Sequence, residues 1–212
     1  MNTIRARGLA WVAAAAMLAA CASPAPQYYS LADAGAETAR AASTGGTAGF
    51  IELAPIAMPE RFARPQLVVR QKSAGAGPEV DVLEQHRWSS SFENELRDAL
   101  ASGIAQRLGA VDATKSGRPR GQPATRIAVQ LRQLDAVESS RVDAGFSWTV
   151  RRTEESPAVA CQLFVSEPVG GGIDALARGT QRATAQLADA IARSVTAMQA
   201  SAANACSADP KV

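Results

Sequence analysis

Ile127-Ala128-Val129-Gln130-Leu131-Arg132 alternates apolar and polar side chains. The pattern returns in Phe146-Ser147-Trp148-Thr149-Val150-Arg151 and again in Val159-Ala160-Cys161-Gln162-Leu163-Phe164-Val165-Ser166. Successive side chains of a strand point to opposite faces, so each segment is expected to be a strand with one face in a core and the other toward water or another chain. Phe164 breaks the rule as an aromatic on the polar face. Consecutive strands of this kind read as an antiparallel sheet covered on one side only.

The cover is found in the flanking sequence. Downstream, Pro168 and Gly170 to Gly172 end the third strand, and a helix is expected from about Ile173 to Met198. Its apolar side is Leu176, Thr180, Ala183, Leu187, Ile191, Val195 and Met198. Upstream, Phe92, Leu96, Leu100, Ile104 and Leu108 recur at steps of four within Ser89 to Leu108, giving a second helix. Ser90 with Glu93 is its capping box and Gly109 its stop. A loop over Lys115 to Pro123 follows that helix. Shorter strands are expected at Tyr28 to Leu31, at Phe50 to Ile56 before Pro59, at Leu67 to Gln71 after Pro65, and at Val80 to Leu83 after Gly75, Gly77 and Pro78. The fold class is therefore α/β (α+β): a two-layer sandwich, a largely antiparallel sheet with two long helices packed on one face.

Composition limits the function. The 212 residues suit one domain, and 47% are hydrophobic, yet 46 are Ala and only 5% are aromatic, so large core anchors are sparse. The net charge of +2 is 22 Lys+Arg against 20 Asp+Glu; without Arg5 and Arg7, which lie in a segment expected to be removed, it is 20 against 20. A neutral body with three lysines lacks the basic footprint of a nucleic-acid binder, and no nucleic acid is expected.

That removable segment is residues 1–20. Arg5 and Arg7 precede an uncharged apolar run from Gly8 to Ala20, the arrangement of a secretory signal. As a helix this run spans roughly 20 Å, short of the ~30 Å bilayer core. Leu18-Ala19-Ala20-Cys21 resembles the bacterial lipobox. That resemblance implies that Cys21 becomes the first mature residue and carries a covalent diacylglyceryl group and an N-acyl chain. Each buried methylene of such chains contributes about 0.8 kcal/mol, and several chains make a stable anchor. Ala22 stands where an inner-membrane retention signal would place Asp, which implies the outer membrane, on its periplasmic face. The domain reading is a signal peptide over 1–20, a lipidated Cys and flexible leader with a short strand over 21–49, an α/β domain over 50–199 and a tail over 200–212. Gly45 and Gly46 mark the leader as a surface linker.

Two further cysteines remain. In an oxidising compartment Cys161 and Cys206 read as one disulfide, with two buried free thiols as the alternative. A metal site is not expected, since His86 is the one histidine and no close-spaced ligands accompany it. No Gly-x-Ser-x-Gly elbow, phosphate loop or His-Glu-x-x-His motif is present, so no catalytic residues are assigned. His86 reads as a strand-end structural residue. Gly170 to Gly172 read as a turn, and Glu93 and Glu95 do not face each other as an acid pair.

Tyr28-Tyr29-Ser30-Leu31 close behind Cys21, Arg64-Pro65-Gln66-Leu67-Val68-Val69-Arg70, and Arg87-Trp88 opening the amphipathic helix together resemble the PqiC-type auxiliary lipoproteins of ABC-type transport systems. The resemblance covers nearly all of the mature chain through short motifs. Members commonly carry Leu-Asp where this chain has Phe62-Ala63, and Ala plus an acid where it has Ser89-Ser90. The resemblance implies a non-catalytic docking subunit of an intermembrane lipid-transport system that maintains envelope integrity. An MCE-domain periplasmic protein is the implied partner, and a homo-oligomeric ring is an open option. Arg64, Pro65, Gln66, Arg70, Arg87 and Trp88 match the family motifs. Pro65 and Trp88 read equally as structural, the first fixing strand entry and the second stapling helix to sheet; the functional reading is an arginine and aromatic edge that contacts a partner.

Three other functions compete, the last a hydrolase that would depend on His86. A carrier of lipid or another hydrophobic ligand would need a cavity lined by residues such as Leu131, Trp148 and Leu163. A structural assembly factor of another outer-membrane complex would differ in the partner it crosslinks.

Overall fold

The computed structural model of the protein describes residues 24–32, 49–70, 77–152, 157–200 and 206. The signal segment, Cys21, the glycine pair of the leader and most of the tail lie outside the described residues. In chain order the elements are β1 (Gln27–Tyr29), β2 (Phe50–Leu53), a 3-10 turn (Glu60–Phe62), β3 (Gln66–Val69), β4 (Asp81–Trp88), α1 (Phe92–Leu108), β5 (Val111–Asp112), β6 (Ala124–Val137), β7 (Arg141–Arg151), β8 (Val159–Pro168) and α2 (Ile173–Gln199).

The alternating segments form the centre of the molecule. β6, β7 and β8 pair antiparallel so that Val129 faces Trp148 and Trp148 faces Cys161, while Leu131 faces Phe146 and Phe146 faces Leu163. Apolar residues thus line up in rows on one face, all of them buried. The two long helices lie on that face. Phe164, 57% exposed, alternates with the buried residues and stands on the helix-free side.

The α+β class and the two-helix layer follow the sequence reading, but the strands divide into two sheets. Five strands run in the order β5-β2-β6-β7-β8, and three in the order β1-β4-β3. The long pairs are antiparallel, whereas β2 is parallel to both β5 and β6, and β1 is parallel to β4. The parallel pairing of β2 has a topological cause: α1 lies in the connection that returns the chain beside it, as a parallel crossover requires. Single bridges between Ala57 and Gln130 and between Arg70 and Val137 extend the pairing past the strand ends.

Alanine explains how a chain poor in large side chains fills its core. Ala175, Ala177, Ala183, Ala188, Ala190 and Ala192 of α2 are buried. A Cβ placed on Gly103 of α1 would stand 3.3 Å from that of Ala188, so the helices pack closely through small residues. Arg107 of α1 pairs with Asp189 of α2 at the rim. The buried hydroxyls of α2 are satisfied locally, Thr180 donating to the Leu176 carbonyl at 3.0 Å and Thr184 to the Thr180 carbonyl at 2.8 Å.

The helix starts where the chain's own hydrogen bonding puts it. The cap is Ser91, whose hydroxyl accepts from the Asn94 amide at 3.3 Å, and the Ser90–Glu93 capping box does not form. The two carboxylates of the first turn are taken by other segments. Glu93 accepts from the Ile56 amide and Glu95 from the Leu31 amide, each at 2.9 Å. Gly109 ends α1 in the left-handed conformation expected of it, with φ 60°. Cys161 and Cys206 are joined in a disulfide that fixes the chain after α2 to the edge strand β8, Cα to Cα 5.3 Å.

Candidate docking face

The motif residues converge on the three-stranded sheet. The Pro65 carbonyl accepts from the Trp88 amide at 2.7 Å, which sets Gln66 opposite Arg87 in the β3–β4 pair. The next paired residues are Leu67 and Leu83, so Glu84 to His86 leave the ladder as a bulge. This bulge is why β4 runs on to Trp88 and not to Leu83. It also turns Glu84 toward its neighbours: the carboxylate accepts from Gln66 Nε2 at 3.2 Å and pairs with Arg87 Nη2 at 3.1 Å, and Arg87 Nε donates to the Glu84 carbonyl at 2.8 Å. On the other side of β4, Tyr28 lies opposite Arg87 and is 63% exposed. Tyr28, Arg87 and Gln66 therefore form a row across three strands. Arg64 is exposed at the β3 end of the row and makes no ion pair among the described residues.

The other motif residues lie below the surface. Trp88 is 5% exposed, its ring 5.4 Å from Phe92 and 6.4 Å from Tyr29, and it holds α1 to the small sheet. It is therefore a core aromatic, whereas Tyr28 is exposed. Arg70 is committed inside the molecule, with Nε 3.1 Å from Asp135 and Nη1 donating to the Gly77 carbonyl. Its backbone amide also donates to Ala136 at 2.8 Å, which ties the small sheet to the end of β6. Pro65 fixes the entry to β3, leaving Arg64, Gln66 and Arg87 as the motif side chains at the surface.

Several residues outside the assigned site set position this face, Gln27, Asp174 and Gln181 among them with no role expected from sequence. The Tyr29 hydroxyl lies 2.8 Å from His86 Nδ1, donates to Asp174 of α2 at 2.7 Å and is 3.1 Å from Gln27 Oε1. Burial, the hydrogen bond to Asp174 and the charge of that carboxylate push its pKa up to about 12. The hydroxyl thus ties β1 to β4 and to α2. The Tyr29 carbonyl accepts from the Ser89 amide at 2.7 Å, and the Ser30 carbonyl from Gln181 Nε2 at the same distance. Burial raises the Glu95 carboxyl, but hydrogen bonds from Ser89, the Leu31 amide, Ser90 and Ser30 outweigh it and hold the group below the usual carboxylate range. The signal available in the sequence was Tyr-Tyr-Ser-Leu itself, which builds the chain behind Cys21 into the body.

No group of three His, Cys, Asp or Glu among the described residues could hold a metal ion, and no described helix is long and apolar enough to cross a membrane. Residues 29–192 match the family described as the ABC-type transport auxiliary lipoprotein component. The chain belongs to this family. No curated protein matches it in sequence. Among solved structures, an uncharacterized protein is similar at 16% identity and a TM-score of 0.63, over 81% of this chain and 99% of the other. A Xanthomonas campestris protein is similar at 14% identity and a TM-score of 0.54, over 75% and 92% of the two chains. Both likenesses concern the fold. Phe62 fills the core beside Phe92 at 6.4 Å, and Ser89 and Ser90 serve Glu95.

Proposed function

We propose that this auxiliary lipoprotein is a non-catalytic docking subunit of an MCE/ABC-type intermembrane lipid-transport system. It is anchored through lipid on Cys21 in the outer membrane, faces the periplasm and binds the system's MCE-domain protein. The observation that carries the reading is the split of the family motif: Trp88, Pro65 and Arg70 build the sheet, while Arg64, Gln66 and Arg87 are presented at its surface beside the exposed Tyr28. Arginine side chains on a rigid sheet are favoured anchors for a protein partner.

The test is co-purification of the MCE-domain protein with an Arg64→Ala, Arg87→Ala double variant. Truncating interfacial arginines costs about 1–2 kcal/mol, so recovery should fall roughly tenfold while thermal stability stays near that of the parent. Unchanged recovery would count against this face. A hydrophobic-ligand carrier is less well supported. Leu131, Trp148 and Leu163 are packed into the core, and the groove of about 740 Å³ beside Trp148 runs over Ala128, Gln130, Ser147, Thr149 and Gln162 of the helix-free face.

A further inference from the structure

We infer that the groove between β1 and the start of α2 seats phosphate-bearing headgroups of the membrane that holds the anchor. The inference rests on the lipid-anchor reading of Cys21 and adds a surface and a partner to it.

The argument begins with chain length. Six residue steps separate Cys21 from Gln27, and Pro24 and Pro26 stand among them. Fully extended, six steps reach about 20 Å. β1 is not free to swing on this leash. It pairs with β4 over Gln27, Tyr28 and Tyr29, its Tyr29 hydroxyl is clamped between His86 and Asp174, and the Ser30 carbonyl is held by Gln181. The surface around β1 therefore stays within about 20 Å of the lipid-bearing residue.

That surface has the chemistry of a bilayer contact. Gln27, Tyr28, Ser30, Asp174, Arg178 and Gln181 line an open groove of about 510 Å³. Asp174, an exposed, charged carboxylate, accepts from the Tyr29 hydroxyl, and Gln181 donates to the Ser30 carbonyl, which leaves Arg178 as the cation of the groove. Tyr28 and Arg178 are left exposed, and Arg178 makes no ion pair among the described residues. A tyrosine gives an apolar body and a polar tip to the interface, and an arginine gives a planar cation matched to phosphate oxygens. Gln66 lies two strands from Tyr28, about 10 Å at ordinary strand spacing, so a headgroup seat at β1 leaves the β3 end of the row open to a protein.

The test uses the acylated full chain in vesicles of phosphatidylethanolamine and phosphatidylglycerol. Photoreactive benzoylphenylalanine replaces either Tyr28 or Phe164, the exposed aromatic of the helix-free face. Intact mass first establishes whether Cys21 is acylated. Phospholipid adducts are expected at position 28 and not at 164. Adding Arg178→Glu should lower the yield at position 28 at least about fivefold, the effect of losing one basic residue at an anionic surface before the added carboxylate is counted. An acylated chain with no enrichment at position 28, or with the same yield after Arg178→Glu, overturns the headgroup seat and leaves the anchor standing. A chain that matures without acylation overturns both.

Discussion

Tyr29 and Glu95 show how single side chains hold β1 and the residues after it in place, and their titration makes this measurable. The folded pKa of Tyr29 lies above the ordinary value of 10.0, at about 12. Between those values the folded state binds the proton that the unfolded chain has lost, so stability contributed by this group declines as pH rises from 10 to 12. Tyr29→Phe should flatten that alkaline decline in a pH series of thermal melts. Glu95 has the opposite sign. Its folded pKa is lowered, so its stabilisation is present above the ordinary carboxylate pKa and is lost as pH falls through the folded one. Glu95→Ala strands the Leu31 amide, and urea unfolding at neutral pH should show a loss of about 1–3 kcal/mol, the cost of an unmade buried hydrogen bond. Gly179 makes a third case. A Cβ there would come within 2.5 Å of Val169 Cγ1 and 3.1 Å of Val142 Cγ2, so the helix needs glycine to lie on β7. Gly179→Ala, which raises helix propensity, should nonetheless destabilise by about 1–3 kcal/mol in the same assay.

At the scale of elements, legibility followed the range of the interactions. β6, β7, β8 and the stripes of both helices could be read from period alone, because each buries one continuous face and Leu100, Ile104, Leu187 and Ile191 are fully covered. The N-terminus of α1 could not be read. Ser89, Ser90 and Ser91 are all competent caps, and the choice among them is made by strands arriving from elsewhere, Leu31 onto Glu95 and Ile56 onto Glu93. The two-residue β5 and the length of β4 were missed for a related reason. Their hydrogen bonds go to β2 and, across a bulge, to β3, and neither partner leaves a local pattern. The small sheet rests on one element contact above all. Trp88 ties β4 to Phe92 of α1, so Trp88→Ala should cost about 3–5 kcal/mol, whereas Arg87→Ala should stay within about 0.5 kcal/mol by the same denaturation measurement. The disulfide closes a separation of 45 residues between the edge strand and the segment after α2. Cys206→Ser, which leaves buried Cys161 as a thiol, should lower stability by about 2–4 kcal/mol in non-reducing buffer and by nothing further when reductant is added.

For the whole molecule, the sequence carried the class of fold and the motif residues, while their sorting into core and surface required the structure. Arg70 and Arg64 are equivalent as letters in one motif; the first is bound to Asp135 and the second is exposed. The division into two sheets was likewise hidden, since it depends on β1 returning beside β4 across 57 residues of chain, from Tyr29 to His86. The arrangement that results has β1 at one edge of the small sheet and β3, with Arg64 and Gln66, at the other. The most direct measurement is an in-cell photocrosslink from position 66, with mass spectrometry of the captured chains. The account predicts capture of an MCE-domain protein, and that capture should be lost with Arg64→Ala and Arg87→Ala. Capture of an unrelated outer-membrane assembly, or only of further copies of this chain, would contradict it.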